Sequence, residues 1–333
     1  MVWIEFILSA AVITFAAMQL AKYGDVIGLR TGLGGMFVGT LLLAAATSLP
    51  ELITTISAIQ SGVPNLAAGN LFGSNMFNMF LIAVLDMVHT SRRMSSKEAY
   101  KHALTGSLAV LMSVLAVFFI VAELPLHINV GNFEVGFDGL TMIIAYFFAI
   151  ALLRRQSRMQ SLGHVDTVIP EGLPSLTTAI LWFAGAAGVL IFATPWMVNV
   201  STRIADVTGL GTTFIGSTLV AVVTSLPETV ATIEAGRIGA DDMAISNLYG
   251  SNMFNMFAIG IADFFYIQGR FFSVIDRSFL LIGMLGLLMT VVALISDLAR
   301  LERKILFLEI DSALLILLYF GGLALLYTRG IAP

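Results

Sequence analysis

The chain contains no cysteine, and only 11% of its 333 residues are charged. Without cysteine there is no disulfide framework and no thiolate metal site. Soluble domains carry roughly 25% charged residues, so a chain this poor in charge cannot be mostly solvated surface. Histidine is scarce as well, with 4 residues, none in the middle of an apolar run. An intramembrane enzyme, which needs a nucleophile with its base or a metal with an open position, therefore finds no histidine to use. The formal net charge is −4 and the basic residues are scattered over short segments, which excludes a nucleic-acid-binding stripe. What is abundant is apolar: 58% hydrophobic residues and a mean hydropathy of +0.94. This is the composition of an integral membrane protein whose main partner is the lipid bilayer.

A bilayer core about 30 Å thick needs roughly 20 helical residues to cross it. The apolar runs predict ten spans, near 2–20, 36–60, 66–89, 102–122, 138–153, 174–196, 212–236, 242–267, 273–296 and 310–328. The fifth is short and is allowed a start as early as Glu134. The first carries Glu5 and has its nearest basic residue, Lys22, behind it, unlike a cleaved signal peptide. No stretch is left over for a soluble domain, and the segment near 154–173 is too short to fold as a regulatory one. Of the 17 Lys and Arg, only Arg203, Arg270, Arg277 and Arg329 fall on one side of this layout. The others, including Arg92, Arg93, Arg154, Arg155 and Arg158, share the opposite side, which the positive-inside rule makes cytoplasmic, with both termini outside.

Residues 32–86 align with 209–263 at a constant shift of 177, without a gap and with identity at just over half the positions. Five spans separate equivalent points, so the second copy enters the membrane from the opposite face. The expected fold is an all-α membrane protein of ten transmembrane helices in two inverted-topology five-helix repeats, 1–157 and 174–333, joined by a cytoplasmic linker at 158–173. Inverted repeats are common in secondary transporters, with the substrate near the midplane where the repeats meet.

The most polar repeated feature is TSLPE, at Thr47–Glu51 and again at Thr224–Glu228, about twelve residues into its span. A carboxylate near the bilayer centre costs at least a few kcal/mol unless it faces a partner or cavity. Pro50 and Pro227 remove backbone donors and so free carbonyls. The second feature is LFGSNMFNMF at 71–80, returning as LYGSNMFNMF at 248–257. It puts Ser74 and Asn78, and Ser251 and Asn255, four residues apart on one helix face. Gly73 and Gly250 would let the helices approach closely. Two carboxylates, several hydroxyls and two amide oxygens form a hard, oxygen-only set suited to Na+ or Ca2+.

Each feature has a plainer competitor. Ser, Thr and Asn in membrane helices also serve only to bridge helices, whereas two midplane acids at equivalent positions are hard to assign to packing. Asp86 and Asp263 also match across the repeat but lie toward span ends and are expected at the interface. His89, His102, His127 and His164 flank spans and are expected to be solvated. Gly185 and Gly188 suggest close helix packing, and the methionines and phenylalanines are core or lipid-facing filler.

The paired G-T/S-S-x-P-E-like and G-S-N-x-F-N segments resemble the α-repeats of the cation/calcium exchanger superfamily, in its Na+/Ca2+ exchanger branch. The resemblance implies that Glu51 and Glu228 bridge a central Ca2+ site and contribute to Na+ sites. Thr47 and Thr224 would add oxygens, and Ala44 and Ala221 would offer carbonyls to the flanking Na+ sites. Ser48 and Ser74 would serve the inner Na+ site, Ser225 and Ser251 the outer one, and Asn78 is similar to the family's central Asn. At Asn255 potassium-dependent and some archaeal exchangers carry Asp, so K+ co-transport is not expected. The motifs are also unlike the G-N-x-x-E type of H+/Ca2+ exchangers.

The function so implied is exchange of Na+ for Ca2+ by alternating access, with no enzyme activity, no cofactor, and Ca2+ and Na+ as cargo. The first and sixth spans, which lack midplane charge, are the expected sliding elements. A proton-coupled Ca2+ exchanger, whose H+ the same glutamates can bind, is the nearest alternative, with a K+-dependent exchanger beside it. A cation channel is a different class, but channels usually build the pore from several subunits or a continuous filter. The absence of a regulatory domain suggests a minimal prokaryotic exchanger in the plasma membrane.

Overall fold

The structure, a computed structural model, describes residues 2–88, 96–123, 126–130, 133–161, 172–208, 222–299, 304–305 and 308–328. Helix α1 runs Val2–Thr31, well past the predicted end of the first span. The apolar run stops near residue 20, yet Tyr23, Val26 and Ile27 still face inward, and burial of that stripe carries the helix on.

The second span is interrupted. It consists of α2 (Gly34–Val38), a π-helical turn (Gly39–Leu43), α3 (Ala44–Thr47) and α4 (Leu49–Gln60). The break falls at Ser48, with φ −93° and ψ 4°. Pro50 then sits in the first turn of α4, where its missing N–H and fixed φ suit a helix start. Its ring leaves the Ala46 carbonyl without the usual i+4 donor.

Next come α5 (Pro64–Val88), α6 (Ser96–Ala122), α7 (Phe137–Ser161) and α8 (Leu176–Thr208). The predicted seventh span is described from residue 222 onward. It breaks at Ser225 (φ −85°, ψ 8°), and Pro227 opens α9 (Leu226–Arg237) as Pro50 opens α4. Helix α10 (Asp241–Phe265), the single turn α11 (Phe271–Val274), α12 (Arg277–Ala299) and α13 (Ile310–Thr328) complete the helices.

Two short hairpins depart from the all-α expectation. In the first, β1 (His127–Val130) pairs with β2 (Phe133–Gly136), Asn129 opposite Glu134. Glu134 therefore belongs to a hairpin, and the fifth span starts at Phe137. In the second, β3 (Lys304–Ile305) pairs with β4 (Leu308–Glu309). Both occupy connections between helices, where backbone groups cannot be satisfied within a helix and pair across a turn instead.

Seven helical stretches among the described residues are long and apolar enough to cross a membrane, the broken Gly34–Gln60 counting as one. Helix α10 is not among them, because Ser251, Asn252, Asn255 and Asp263 lower its hydropathy. It is instead the most enclosed helix. It packs against α5, α6, α7, α9 and the π-helical turn, while α5 packs against α4, α10, α12 and α13. Side chains such as Ile4, Leu181, Phe147 and Phe192 point outward, as lipid-facing residues do.

Helix α1 packs chiefly on α8. The pair is joined at one end by the Glu5–Arg203 ion pair and toward the other by stacked Tyr23 and Trp182 rings, 5.7 Å between centroids. Gly185 and Gly188 do not mediate close packing as expected: a Cβ at either would meet nothing within 4 Å. Gly250 does, since a Cβ there would lie 2.6 Å from the Thr40 carbonyl oxygen.

Asp263, expected at an interface, is buried. Its carboxylate accepts from the Phe271 N–H at 2.7 Å and the Gly136 N–H at 2.8 Å, while neighbouring Arg270 pairs with buried Asp138. The Asp86 side chain, His89 and His164 lie outside the described residues, as does the side chain of His127.

Candidate cation site

Both TSLPE segments reach the centre at a helix break. Ser48 and Ser225 are the break residues, and Glu51 and Glu228 follow one turn later in α4 and α9, with relative exposures of 0% and 1%. The breaks aim each serine at the glutamate of the other segment. Ser48 Oγ donates to Glu228 Oε1 at 2.8 Å, and Ser225 Oγ lies 3.4 Å from Glu51 Oε1 and 3.2 Å from Ser74 Oγ. The two carboxylates are close enough to act on each other electrostatically. Among the described residues no Lys or Arg acts on either carboxylate, and a buried carboxylate without a counter-charge costs several kcal/mol, which a bound cation would offset.

Each threonine stands by the glutamate of the other segment, Thr47 by Glu228 and Thr224 by Glu51. Thr47 Oγ1 donates back to Leu43 O at 3.0 Å, whereas Thr224 Oγ1 crosses to Asn70 Oδ1 at 3.3 Å. The Ala44 carbonyl accepts from the Ser48 N–H at 2.9 Å within the helix. Ala221 lies outside the described residues.

Helices α5 and α10 meet along their asparagines. Asn78 Nδ2 donates to Asn252 Oδ1 at 3.1 Å and Asn255 Nδ2 to Asn75 Oδ1 at 2.9 Å. Among the described residues, the buried side-chain oxygens without a hydrogen-bond partner include Glu51 Oε2, Glu228 Oε2, Asn78 Oδ1, Asn255 Oδ1 and Ser251 Oγ. Native structures rarely leave such atoms unpaired. These five belong to residues singled out in the two repeated motifs and are hard oxygen ligands, while Thr55, Thr105, Thr194, Asn247 and Asp311 also carry such atoms. No group of three or more His, Asp or Glu that could hold a metal occurs among the described residues, so charge for a cation rests on the two glutamates.

Four further asparagines of the repeats, Asn70, Asn75, Asn247 and Asn252, are buried as well. Asn70 Nδ2 lies 3.3 Å from the Glu51 carbonyl oxygen, and Asn247 Nδ2 donates to Thr232 Oγ1 at 3.0 Å. The signal was present, since all four are among the positions identical at the 177-residue shift. His102, expected to be solvated, is not. It is fully buried, its ring nitrogens 3.2 Å from Asp242 Oδ1 and 3.1 Å from Ser246 Oγ, both on α10. A cavity of about 590 Å³, lined by residues including Gln60, Phe264 and Gln268, opens where α4 and α10 end. Its wall at Ile59 is eight residues beyond Glu51, about 12 Å along the helix.

A helical membrane protein whose two buried carboxylates are each met by a hydroxyl of the opposite segment belongs, as a class, with proteins that handle cations. The family model described as "Sodium/calcium exchanger protein" matches residues 1–155 and 178–328, and the chain belongs to that family. It is 27% identical over 282 residues to the Sodium/calcium exchanger MaX1 of Methanosarcina acetivorans, covering 74% of this chain and 77% of that one. It is 27% identical over 265 residues to the Inner membrane protein YrbG of Escherichia coli, covering 75% of each. Among solved structures, the sodium-calcium exchanger NCX_Mj soaked with 10 mM Na+ superposes with a TM-score of 0.72 at 17% identity, over 97% of this chain and 99% of the other. That likeness extends to the fold.

Proposed function

We propose that this protein is a secondary antiporter that exchanges Na+ for Ca2+ at the site built by Glu51 and Glu228. The observation that carries the reading is that, among the unpartnered buried oxygens of the described residues, five fall in the two repeated motifs: Glu51 Oε2, Glu228 Oε2, Asn78 Oδ1, Asn255 Oδ1 and Ser251 Oγ. Family membership supports it, as does the likeness to the Sodium/calcium exchanger MaX1. The reading includes two inverted five-helix halves, with both termini outside a prokaryotic plasma membrane.

Exchange follows from charge. The two carboxylates supply −2, which one Ca2+ balances, and Na+ ions use the same oxygens only when Ca2+ has left. Occupancy is mutually exclusive. Without a cation, the desolvated carboxylates resist enclosure, so the carrier does not reorient empty. Reorientation is a movement of one part of the bundle past the rest around a fixed site. Helices α1 and α8 suit it, because they pack chiefly on each other and are tied together through Glu5 and Arg203.

Ion replacement in proteoliposomes tests the coupling. Vesicles loaded with Na+ are expected to take up ⁴⁵Ca²⁺, and vesicles loaded with K+ or with a large organic cation are not. Uptake driven equally well by an outward proton gradient in the absence of Na+ would replace Na+ with H+ as the coupling ion.

A further inference from the structure

The amides of Asn78 and Asn255 are useful to a cation only if their oxygens, and not their NH2 groups, face it. An NH2 group turned inward would repel the ion. We infer that Asn75 and Asn252 are positioning residues that lock this orientation, each setting the amide of the partner helix. The inference rests on the cation site proposed above and adds to it two residues that touch no ion.

Two backbone carbonyls fix the amides, because a carbonyl only accepts. Asn252 Nδ2 lies 3.4 Å from the Asn75 carbonyl oxygen, and Asn75 Nδ2 lies 3.5 Å from the Asn252 carbonyl oxygen. Whichever end of each side chain faces a carbonyl must be its NH2, which fixes the other end as oxygen. That oxygen, Oδ1 of Asn252, lies 3.1 Å from the Asn78 amide, and Oδ1 of Asn75 lies 2.9 Å from the Asn255 amide. Two oxygens at that distance would repel, so Asn78 and Asn255 must present Nδ2 there. Their own Oδ1 atoms are then turned the other way, and those are the atoms found buried without a hydrogen-bond partner.

The four side chains are enclosed, with relative exposures of 4% at Asn75, 1% at Asn78, 0% at Asn252 and 1% at Asn255. Water is thus not at hand to satisfy a flipped amide. The orientation passes from helix backbone to carbonyl-facing amide to ion-facing amide, in both directions across the α5–α10 contact. It also bears on charge. A carboxylate in place of Asn78 would set an anionic oxygen against the Oδ1 of Asn252.

Equilibrium ⁴⁵Ca²⁺ binding to the purified full-length protein in Na+-free buffer tests this. Asn252→Leu removes the acceptor that holds Asn78, and its Ca2+ affinity is expected to fall about 10- to 100-fold, the usual effect of losing an outer partner of a ligand. Asn78→Asp alone is expected to weaken binding, because its carboxylate faces Asn252 Oδ1. Combined with Asn252→Leu it is expected to bind more tightly than alone, since either carboxylate oxygen then ligates whichever way the group turns. Single and double variants carry the same charge, so charge does not explain such a recovery. Should the Leu variant not fold, Asn252→Ser gives the same comparison without bulk, its hydroxyl being too short to reach Asn78. Wild-type affinity in Asn252→Leu or Asn252→Ser, or a double variant no better than Asn78→Asp, overturns the positioning role. Wild-type protein that binds neither Ca2+ nor Na+ overturns instead the transport reading on which it rests.

Discussion

Ser48 and Glu228 lie 180 residues apart in the chain and share a 2.8 Å hydrogen bond at the centre of the bundle. The bond joins the break of one repeated segment to the carboxylate of the other. A hydrogen bond to a charged group contributes about 1.5–3 kcal/mol. Ser48→Ala is therefore expected to shift the Ca2+ concentration for half-maximal uptake by about tenfold or more. Ser225 stands 3.4 Å from Glu51, so Ser225→Ala is expected to have the smaller effect. Initial ⁴⁵Ca²⁺ uptake rates against Ca2+ concentration check both, and an unchanged Ser48→Ala would remove Ser48 from the site.

Gly250 and Gly185 should part company. A Cβ at Gly250 meets Thr40 backbone at 2.6 Å and Ala44 Cβ at 2.9 Å, which neither neighbour can yield without moving the interrupted span. Gly250→Ala is expected to cost about 1–3 kcal/mol, as overpacking does. Gly185→Ala meets open space and is expected to leave the melting temperature in detergent unchanged. Equal melting temperatures for the two variants would contradict the close approach of α10 to the π-helical turn.

Asp138 and Arg270 form an ion pair with side-chain exposures of 1% and 8%. Arg270→Met strands a buried carboxylate, and breaking such a pair costs about 3–5 kcal/mol. The double variant Asp138→Leu with Arg270→Met removes both charges and is expected to be more stable than Arg270→Met alone. Thermal unfolding of the three proteins gives the comparison; a double variant less stable than the single one would deny the pairing.

Orientation is accessible because the chain has no native thiol. Arg155 on α7 and Ser61 after α4 are both exposed, whereas Ser157 is buried against the Leu33 carbonyl and is unsuitable. Arg155→Cys is expected to react with an impermeant maleimide only from the cytoplasm, and Ser61→Cys only from outside. The reverse pattern would invert the proposed topology.

The repeated residues were legible because duplication writes the same polar side chain twice into apolar sequence. Glu51 and Glu228, Ser48 and Ser225, and Ser74 with Asn78 were found that way, and the structure brings them into one region. Partners brought together only by folding left no local trace. Asp242 lies 140 residues from His102, so nothing near His102 announced that it would be buried and paired. Asp263 looked interfacial because it ends an apolar helix, and its backbone donors at Gly136 and Phe271 come from connections whose path the pattern of hydropathy does not encode. The roles of Asn75 and Asn252 were hidden for another reason. Repeat identity marks a residue as constrained, but which end of an amide faces an ion depends on carbonyls of the opposite helix.

The claim that two buried carboxylates hold the transported cation is tested most directly by ⁴⁵Ca²⁺ uptake into Na+-loaded proteoliposomes containing Glu51→Gln or Glu228→Gln. The amide keeps the size of the side chain and removes its charge, and melting temperature in detergent reports whether each variant is folded. Each folded variant is expected to lose Ca2+ uptake, falling to the level of protein-free vesicles. Uptake near the wild-type rate in either one would contradict the account.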